Sequence, residues 1–247
     1  MTKEYHIDLE KGDVGRYVIL TGDPQRVPII AKYLDNAVEV ANKREYVTYT
    51  GYLDGEKVSV TSTGIGCPSA AICIEELIHI GSDTFIRVGT SGTLQEHVKL
   101  GDISISTASI RDEGTTRQYV PIEFPAVADI DIVLALKKAA QNMNFKHHVG
   151  INHCKDSFYS EEPHKTPLLE ENQTKWKIWQ RANTLTTSME SAALFIIGTL
   201  RKVRVGEVLS VASMPENGHP IVHADSVERA IQTAIEAIRI LKSQDNA

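Results

Sequence analysis

Short apolar runs rich in β-branched residues recur along the chain, and most of them end in small residues. Tyr17-Val18-Ile19-Leu20 leads into Thr21-Gly22-Asp23-Pro24, and Lys57-Val58-Ser59-Val60-Thr61-Ser62 leads into Thr63-Gly64-Ile65-Gly66. Residues 84–88 lead into Gly89-Thr90-Ser91-Gly92, residues 102–110 alternate apolar and hydroxyl side chains over much of their length, and residues 207–211 form another such run. Runs of this length, closed by turn residues, predict β-strands. Helical spacing fills the gaps. Pro68 suits the first turn of a helix over residues 68–79 or 80, with Gly81 as its stop. Residues 130–142 place Val133, Leu134, Leu136 and Ala140 at helical spacing. Residues 190–200 are apolar almost all round, which predicts a buried helix. The last helix is expected to start near Asp225-Ser226-Val227-Glu228, a capping-box spacing with Asp as the cap, and its stripe runs from Val227 to Leu241. Strands alternating with helices across short turns predict an α/β sheet protein, in which ligands sit where strands run out into turns.

The chain has 247 residues, 42% hydrophobic and 23% charged, as in an ordinary soluble globular protein. No linker, repeat or low-complexity stretch divides it. A net charge of -6 argues against nucleic-acid binding through a broad basic surface. The N-terminus is polar with no signal-peptide core behind it, and no apolar run reaches the roughly 18 residues of a membrane span. The expectation is a cytoplasmic protein without membrane contact. Cys67, Cys73 and Cys154 form no CxxC pair and read as small core residues of a reducing compartment. His147, His148 and His153 lack a metal-binding frame, so no metal is expected.

The chemistry concentrates in Thr84-Phe85-Ile86-Arg87-Val88-Gly89-Thr90-Ser91-Gly92. A buried strand does not hold an unpaired guanidinium without a cost of several kcal/mol or more, so Arg87 needs a partner. No acidic residue follows it before the small-residue turn. Arginine, hydroxyls and free turn N–H groups together point to an oxyanion, phosphate above all. Gly22-Asp23-Pro24-Gln25-Arg26 reads either as an ordinary turn with a surface arginine or as a glycine turn approached by a ligand. Gly64-Ile65-Gly66-Cys67-Pro68-Ser69 has serine where the dinucleotide fingerprint needs its last glycine, which argues against a Rossmann site. Lys43-Arg44-Glu45-Tyr46 alone reads as solvated surface, and Trp176-Lys177-Ile178-Trp179 as a packed helix. Glu190 in Ser188-Met189-Glu190-Ser191 either caps the helix it opens or accepts hydrogen bonds from sugar hydroxyls.

Taken in order, these segments resemble the nucleoside phosphorylase family, and its bacterial uridine phosphorylase branch most closely. The likeness is dense in residues 12–19 and 22–26, in Arg44-Glu45-Tyr46-Val47-Thr48-Tyr49-Thr50-Gly51, in Ser62-Thr63-Gly64-Ile65-Gly66, in Phe85-Ile86-Arg87-Val88-Gly89-Thr90 and in residues 123–129. The resemblance implies one domain over residues 1–247 with a mixed, partly closed β-sheet flanked by helices. It implies paired subunits that share active sites, assembled into homo-oligomers, usually hexamers. It implies reversible phosphorolysis of a nucleoside to free base and ribose 1-phosphate, with inorganic phosphate as co-substrate and no cofactor. Position by position, Gly22, Arg26, Arg87 and Thr90 match the phosphate site, and Arg44 matches a residue reaching in from the partner subunit. Met189 and Glu190 match the ribose pair, His6 a histidine that the adjacent subunit offers to the sugar, and Phe158 an aromatic beside the base. Arg87 and Glu190 are the catalytic candidates. On this reading Arg87 pairs with phosphate rather than with protein, and Arg87→Ala weakens phosphate use far more than folding.

The base half departs from the family pattern. Uridine phosphorylases read uracil with a glutamine and an arginine shortly after a Phe-Tyr pair; here Phe158-Tyr159 is followed by Ser160-Glu161-Glu162-Pro163-His164-Lys165, with neither. Glu161 and Lys165, or His164 for the arginine, are the candidates in their place, although a lysine does not reproduce the guanidinium fork. Ser188 stands where the family commonly has a second glutamate, and Ala212 or Ser213 where purine enzymes carry a proton-donating aspartate. The leading expectation is a uridine or related pyrimidine nucleoside phosphorylase. The alternatives are a purine or broad-specificity phosphorylase, a nucleosidase using water, which the arginine set disfavours, and a catalytically weak nucleoside-binding relative.

Overall fold

The computed structural model describes residues 3–161, 166–212 and 222–246, without the side chain of Glu161. Its strands are β1 (Tyr17–Thr21), β2 (Asp35–Lys43), β3 (Tyr46–Leu53), β4 (Glu56–Ser62), β5 (Thr84–Thr93), β6 (Ile103–Asp112), β7 (Ala126–Val127), β8 (His147–Lys155), β9 (Thr186–Ser188) and β10 (Arg204–Val211). Its helices are α1 (Val27–Ala31), α2 (Cys67–His79), α3 (Ile130–Asn142), α4 (Leu169–Arg181), α5 (Ser191–Arg201) and α6 (Ala224–Asp245).

All strands belong to one mixed sheet. From the β2 edge the order is β2-β3-β4-β1-β5, with β4, β1 and β5 parallel. The sheet then closes on itself. β5 pairs with β10 in parallel and with β9 antiparallel, β9 continues through β8 to β6, and β6 returns to β10. The partly closed sheet expected from the sequence is therefore present. Helices α3 and α6 pack Ile132, Leu136, Ile231 and Ile238 on one side, and α2 and α5 pack Ile74, Leu77, Leu194 and Phe195 on the other. Each of these fully buried side chains contributes roughly 1.5–3 kcal/mol of transfer free energy.

Local chemistry accounts for most element ends. Pro68 occupies the first turn of α2, and Gly81 follows that helix with φ +109°, a conformation that glycine adopts without penalty. Asp129 caps α3 by accepting from the N–H groups of Asp131 at 3.0 Å and Ile132 at 3.2 Å. In α5 every residue from Ser191 to Gly198 is buried, as its all-round apolarity predicts.

Two expectations need correction, and one strand was missed. The Gly89-Thr90-Ser91-Gly92 segment is not a turn but the second half of β5, so its backbone pairs with β10 and β9 instead of offering a nest of free N–H groups. Helix α6 begins at Ala224, and Asp225 lies inside its first turn with His223 at the cap position, so the anticipated capping box does not form. Strand β2 was not legible as a strand. It is a polar edge strand with register shifts between Asp35 and Val38 and between Glu39 and Ala41, which break the two-residue alternation.

Candidate active site

A cavity of about 640 Å³ opens at the carboxyl ends of the parallel strands. Gly22 follows β1, Gly64 follows β4, Ala212 follows β10, and Lys155 ends β8; all four line it. The residues from Gly89 to Gly92 give it a floor, and Thr187, Ser188, Met189 and Glu190 a wall. Of the sequence candidates, Gly22, Arg26, Arg87, Thr90, Phe158, Met189 and Glu190 meet here.

The turn after β1 aims Arg26 inward. The Asp23 carboxylate accepts from the Gln25 N–H at 2.9 Å, and Pro24 presets the backbone, so residues 24–26 wind into one tight helical turn. Arg26 then lies back over the strand end and donates to Thr21 Oγ1 at 3.3 Å. Burial pulls its pKa down, Asp23 opposes that, and the neighbouring charge of Arg87 adds to it. Among the described residues no carboxylate lies within ion-pair distance of Arg26. Two guanidinium groups thus share one cavity wall, an arrangement that favours an anion.

Arg87 does have protein partners, contrary to the sequence reading. Its Nη2 pairs with Glu190 and its Nη1 with Glu207 Oε1 at 3.1 Å. The reason lies in strand order: β10 lies parallel to β5 with Glu207 opposite Arg87. Linear sequence places these residues 120 positions apart. Glu207 is fully buried and also accepts from Ser106 Oγ at 2.6 Å. Burial pushes its carboxyl above the ordinary range, and Arg87 and Ser106 offset this only in part. For Arg87, burial pulls the pKa down, but the two carboxylates outweigh it and raise it. Its Nε is buried without a hydrogen-bond partner. Gly89 makes this packing possible, because a Cβ there would collide with the Arg87 guanidinium folded across it and with Leu209.

Glu190 stands at the cap position of α5, but its side chain makes no capping bond, so the capping reading is corrected. Its Oε1 accepts from the Gly66 N–H at 2.9 Å, and its Oε2 faces Arg87 and the Met189 N–H. Gly66 holds φ +94° and Gly64 φ +67°, so the glycine turn before α2 serves to bring a backbone donor onto this carboxylate. Ser188, in place of the family's second glutamate, joins a buried hydroxyl network: Asn152 Nδ2 donates to Ser188 Oγ at 2.7 Å and to Ser191 Oγ at 2.8 Å. Glu45, read from sequence as surface, also lines the cavity, and its own N–H and the Ser69 hydroxyl hold its carboxyl below the usual range.

Phe158 and Lys155 line the same cavity. Sequence reasoning overlooked Lys155. Its one local signal was its place three residues before Phe158. The residue is only 6% exposed, and Nζ donates to Thr187 Oγ1 at 3.0 Å. Lys165 and Ser213 lie outside the described residues, as does the side chain of Glu161.

Arg44 and His6 do not line this cavity. Arg44 sits with φ +57° at the β2–β3 turn, and His6 packs on α2 with Nδ1 2.5 Å from Glu76 Oε1. The clustered histidines diverge: His147 bonds Phe145 O, His148 Asp102, and His153 Asp112. Helix α4 covers His153 with Trp176 and Trp179. The three cysteines are buried and unbridged. Among the described residues no helix is long and apolar enough to cross a membrane.

A family model described as the phosphorylase superfamily matches residues 16–243. A uridine phosphorylase of Treponema pallidum is 48% identical over 98% of this chain and 96% of its own. A uridine phosphorylase of Thermococcus kodakarensis is 42% identical over 98% of this chain and 88% of its own. A guanosine phosphorylase of Halorubrum lacusprofundi is 36% identical over 98% of this chain and all of its own.

Proposed function

The chain belongs to the phosphorylase superfamily, and from that premise we propose that it is a pentosyltransferase that cleaves uridine, or a related pyrimidine nucleoside, with inorganic phosphate. The observation that carries this reading is the cavity itself. Arg26, Arg87, Thr90, Met189 and Glu190 line it together. Relatives named uridine phosphorylase, aligned over nearly the whole chain, support the choice of base.

In this reading phosphate binds against Arg26, Arg87 and Thr90, with Gly22 allowing close backbone approach and Arg44 joining from a partner subunit. Glu190 turns from Arg87 to the ribose hydroxyls, and Met189 packs on the sugar ring, with His6 supplied by the neighbouring subunit. As the C1′–N1 bond stretches, positive charge builds on the ribose, and the phosphate beneath it stabilises that charge. A phosphate oxygen bonds to C1′ while the C1′–N1 electron pair leaves with the base, which takes a proton from water after departure. Holding both reactants in attack geometry is the main contribution of Glu190 and the arginines. No cofactor enters. The enzyme acts as a dimer-based homo-oligomer, a hexamer of shared sites, in the cytoplasm, without nucleic-acid or membrane partners.

A purine nucleoside is the second reading, favoured by the guanosine phosphorylase relative. The test is base release from uridine, thymidine, inosine and adenosine, each with and without phosphate. Phosphate-dependent uracil release is the expected result. Purine release alone selects the second reading, phosphate-independent release means hydrolysis, and no release from any nucleoside overturns the enzymatic reading.

A further inference from the structure

Building on the uridine reading, we propose that Lys155 is the cation that reads the base: its ammonium donates to a carbonyl oxygen of the pyrimidine ring and stabilises the negative charge that gathers there as the C1′–N1 bond breaks. Lys155 is the last residue of β8, buried at 6% exposure, and lines the cavity beside Phe158. An ammonium is costly to bury, so a buried lysine lining a cavity is unusual. It is also held on a strand rather than a loop, which fixes its position more closely.

A chain of hydrogen bonds orients it. Lys155 Nζ donates to Thr187 Oγ1 at 3.0 Å. Thr187 Oγ1 lies 3.4 Å from His153 Nδ1, and His153 Nε2 lies 3.1 Å from Asp112 Oδ2. Asp112 Oδ1 is in turn 3.6 Å from Lys175 Nζ. These contacts are satisfied together by one arrangement of protons. His153 carries its proton on Nε2 and donates to Asp112, its Nδ1 accepts from the Thr187 hydroxyl, and the Thr187 oxygen accepts from Lys155. Trp176 lies beneath the ammonium, with Nζ 5.9 Å from its ring centroid.

The chemistry demands such a group. When the C1′–N1 bond breaks, its electron pair goes to N1 and spreads onto the two ring carbonyl oxygens. A hydrogen-bonding cation at either carbonyl lowers that barrier, and the step needs no proton from it. The site therefore reads uracil from β8, without the glutamine and arginine that the segment after Phe158-Tyr159 lacks.

The test compares wild type, Lys155→Met and Lys155→Arg on uridine and 5-fluorouridine at varied phosphate. Fluorine stabilises the departing ring anion, so a site that has lost its cation gains more from it. Lys155→Met should lower kcat/KM for uridine about 10- to 100-fold, the worth of one charge-assisted hydrogen bond. The loss on 5-fluorouridine should be at least about threefold smaller, as Brønsted behaviour requires. The phosphate KM should stay within about twofold, since phosphate meets other cations, and Lys155→Arg should restore part of the activity. Should Lys155→Met fail to fold, Thr187→Val, which removes the hydroxyl that Lys155 donates to, should shift the uridine to 5-fluorouridine ratio the same way. Equal losses on both substrates, or a phosphate KM that moves in parallel, overturn the assignment of Lys155 alone. A wild-type protein that releases no uracil overturns the uridine reading and this one with it.

Discussion

Arg26 separates phosphate binding from folding. It is partly buried, donates to Thr21 at 3.3 Å, and among the described residues faces no carboxylate at ion-pair distance. Its charge is disfavoured by burial and by Arg87, with Asp23 opposing. Arg26→Met should therefore change the unliganded stability by no more than about 1 kcal/mol. With phosphate the outcome differs. One charge-assisted hydrogen bond is worth about 1.5–3 kcal/mol, so phosphate binding should weaken by about 10- to 150-fold. Thermal unfolding reads both effects. At phosphate about 100-fold above its Kd, ligand linkage stabilises the wild type by about 2.7 kcal/mol. At roughly 2–4 °C per kcal/mol this is a rise of about 5–10 °C. The variant, with Kd raised about 100-fold, should gain only about 1 °C at the same phosphate. A variant that keeps the full phosphate shift refutes the placement of phosphate at Arg26, and one that melts far lower without phosphate refutes the claim that Arg26 contributes little to folding.

Other substitutions probe the same wall. Arg87→Met leaves Glu190 and Glu207 buried without their cation; it should destabilise the protein by roughly 3–5 kcal/mol in urea unfolding, against the expectation from sequence that phosphate use suffers far more than folding. Gly89→Ala should displace the Arg87 guanidinium, since the added Cβ collides with it and with Leu209; a fold retained by circular dichroism with lost phosphorolysis is the expected outcome, and normal activity would contradict the packing. Glu207→Gln tests pH linkage. Burial raises the Glu207 carboxyl above 4.5, so the folded state holds its proton more tightly than the unfolded state. Its contribution is complete below the unfolded-state value and is lost as pH rises through the folded-state one. Unfolding at pH ~5 and ~8 should show the Gln variant gaining on wild type toward the higher pH, and a flat difference would refute the raised value.

Much of the architecture was legible because it rests on local signals. Strand runs closed by glycine turns, Pro68 and Gly81 around α2, and the all-round apolarity of α5 each act over a few residues. The arginine in β5 signalled a site for a sound physical reason, the cost of burying its charge. Its partner was illegible because the Glu207 pairing depends on strand order, which no local pattern encodes. Glu45 and Lys155 were missed for the same cause: each reads locally as solvated charge, and only the convergence of strand ends turns it inward. β2 escaped because bulges and polar edge residues erase its alternation.

The central claim is that phosphate, not water, takes the ribose from a pyrimidine base in the cavity of Arg26, Arg87 and Glu190. Phosphorus NMR of the protein with uridine and inorganic phosphate tests it directly. The account predicts a ribose 1-phosphate resonance that grows as free phosphate falls, in equal amount to the uracil released. Uracil appearing with free ribose and no sugar phosphate, or no reaction of uridine at all, would contradict it.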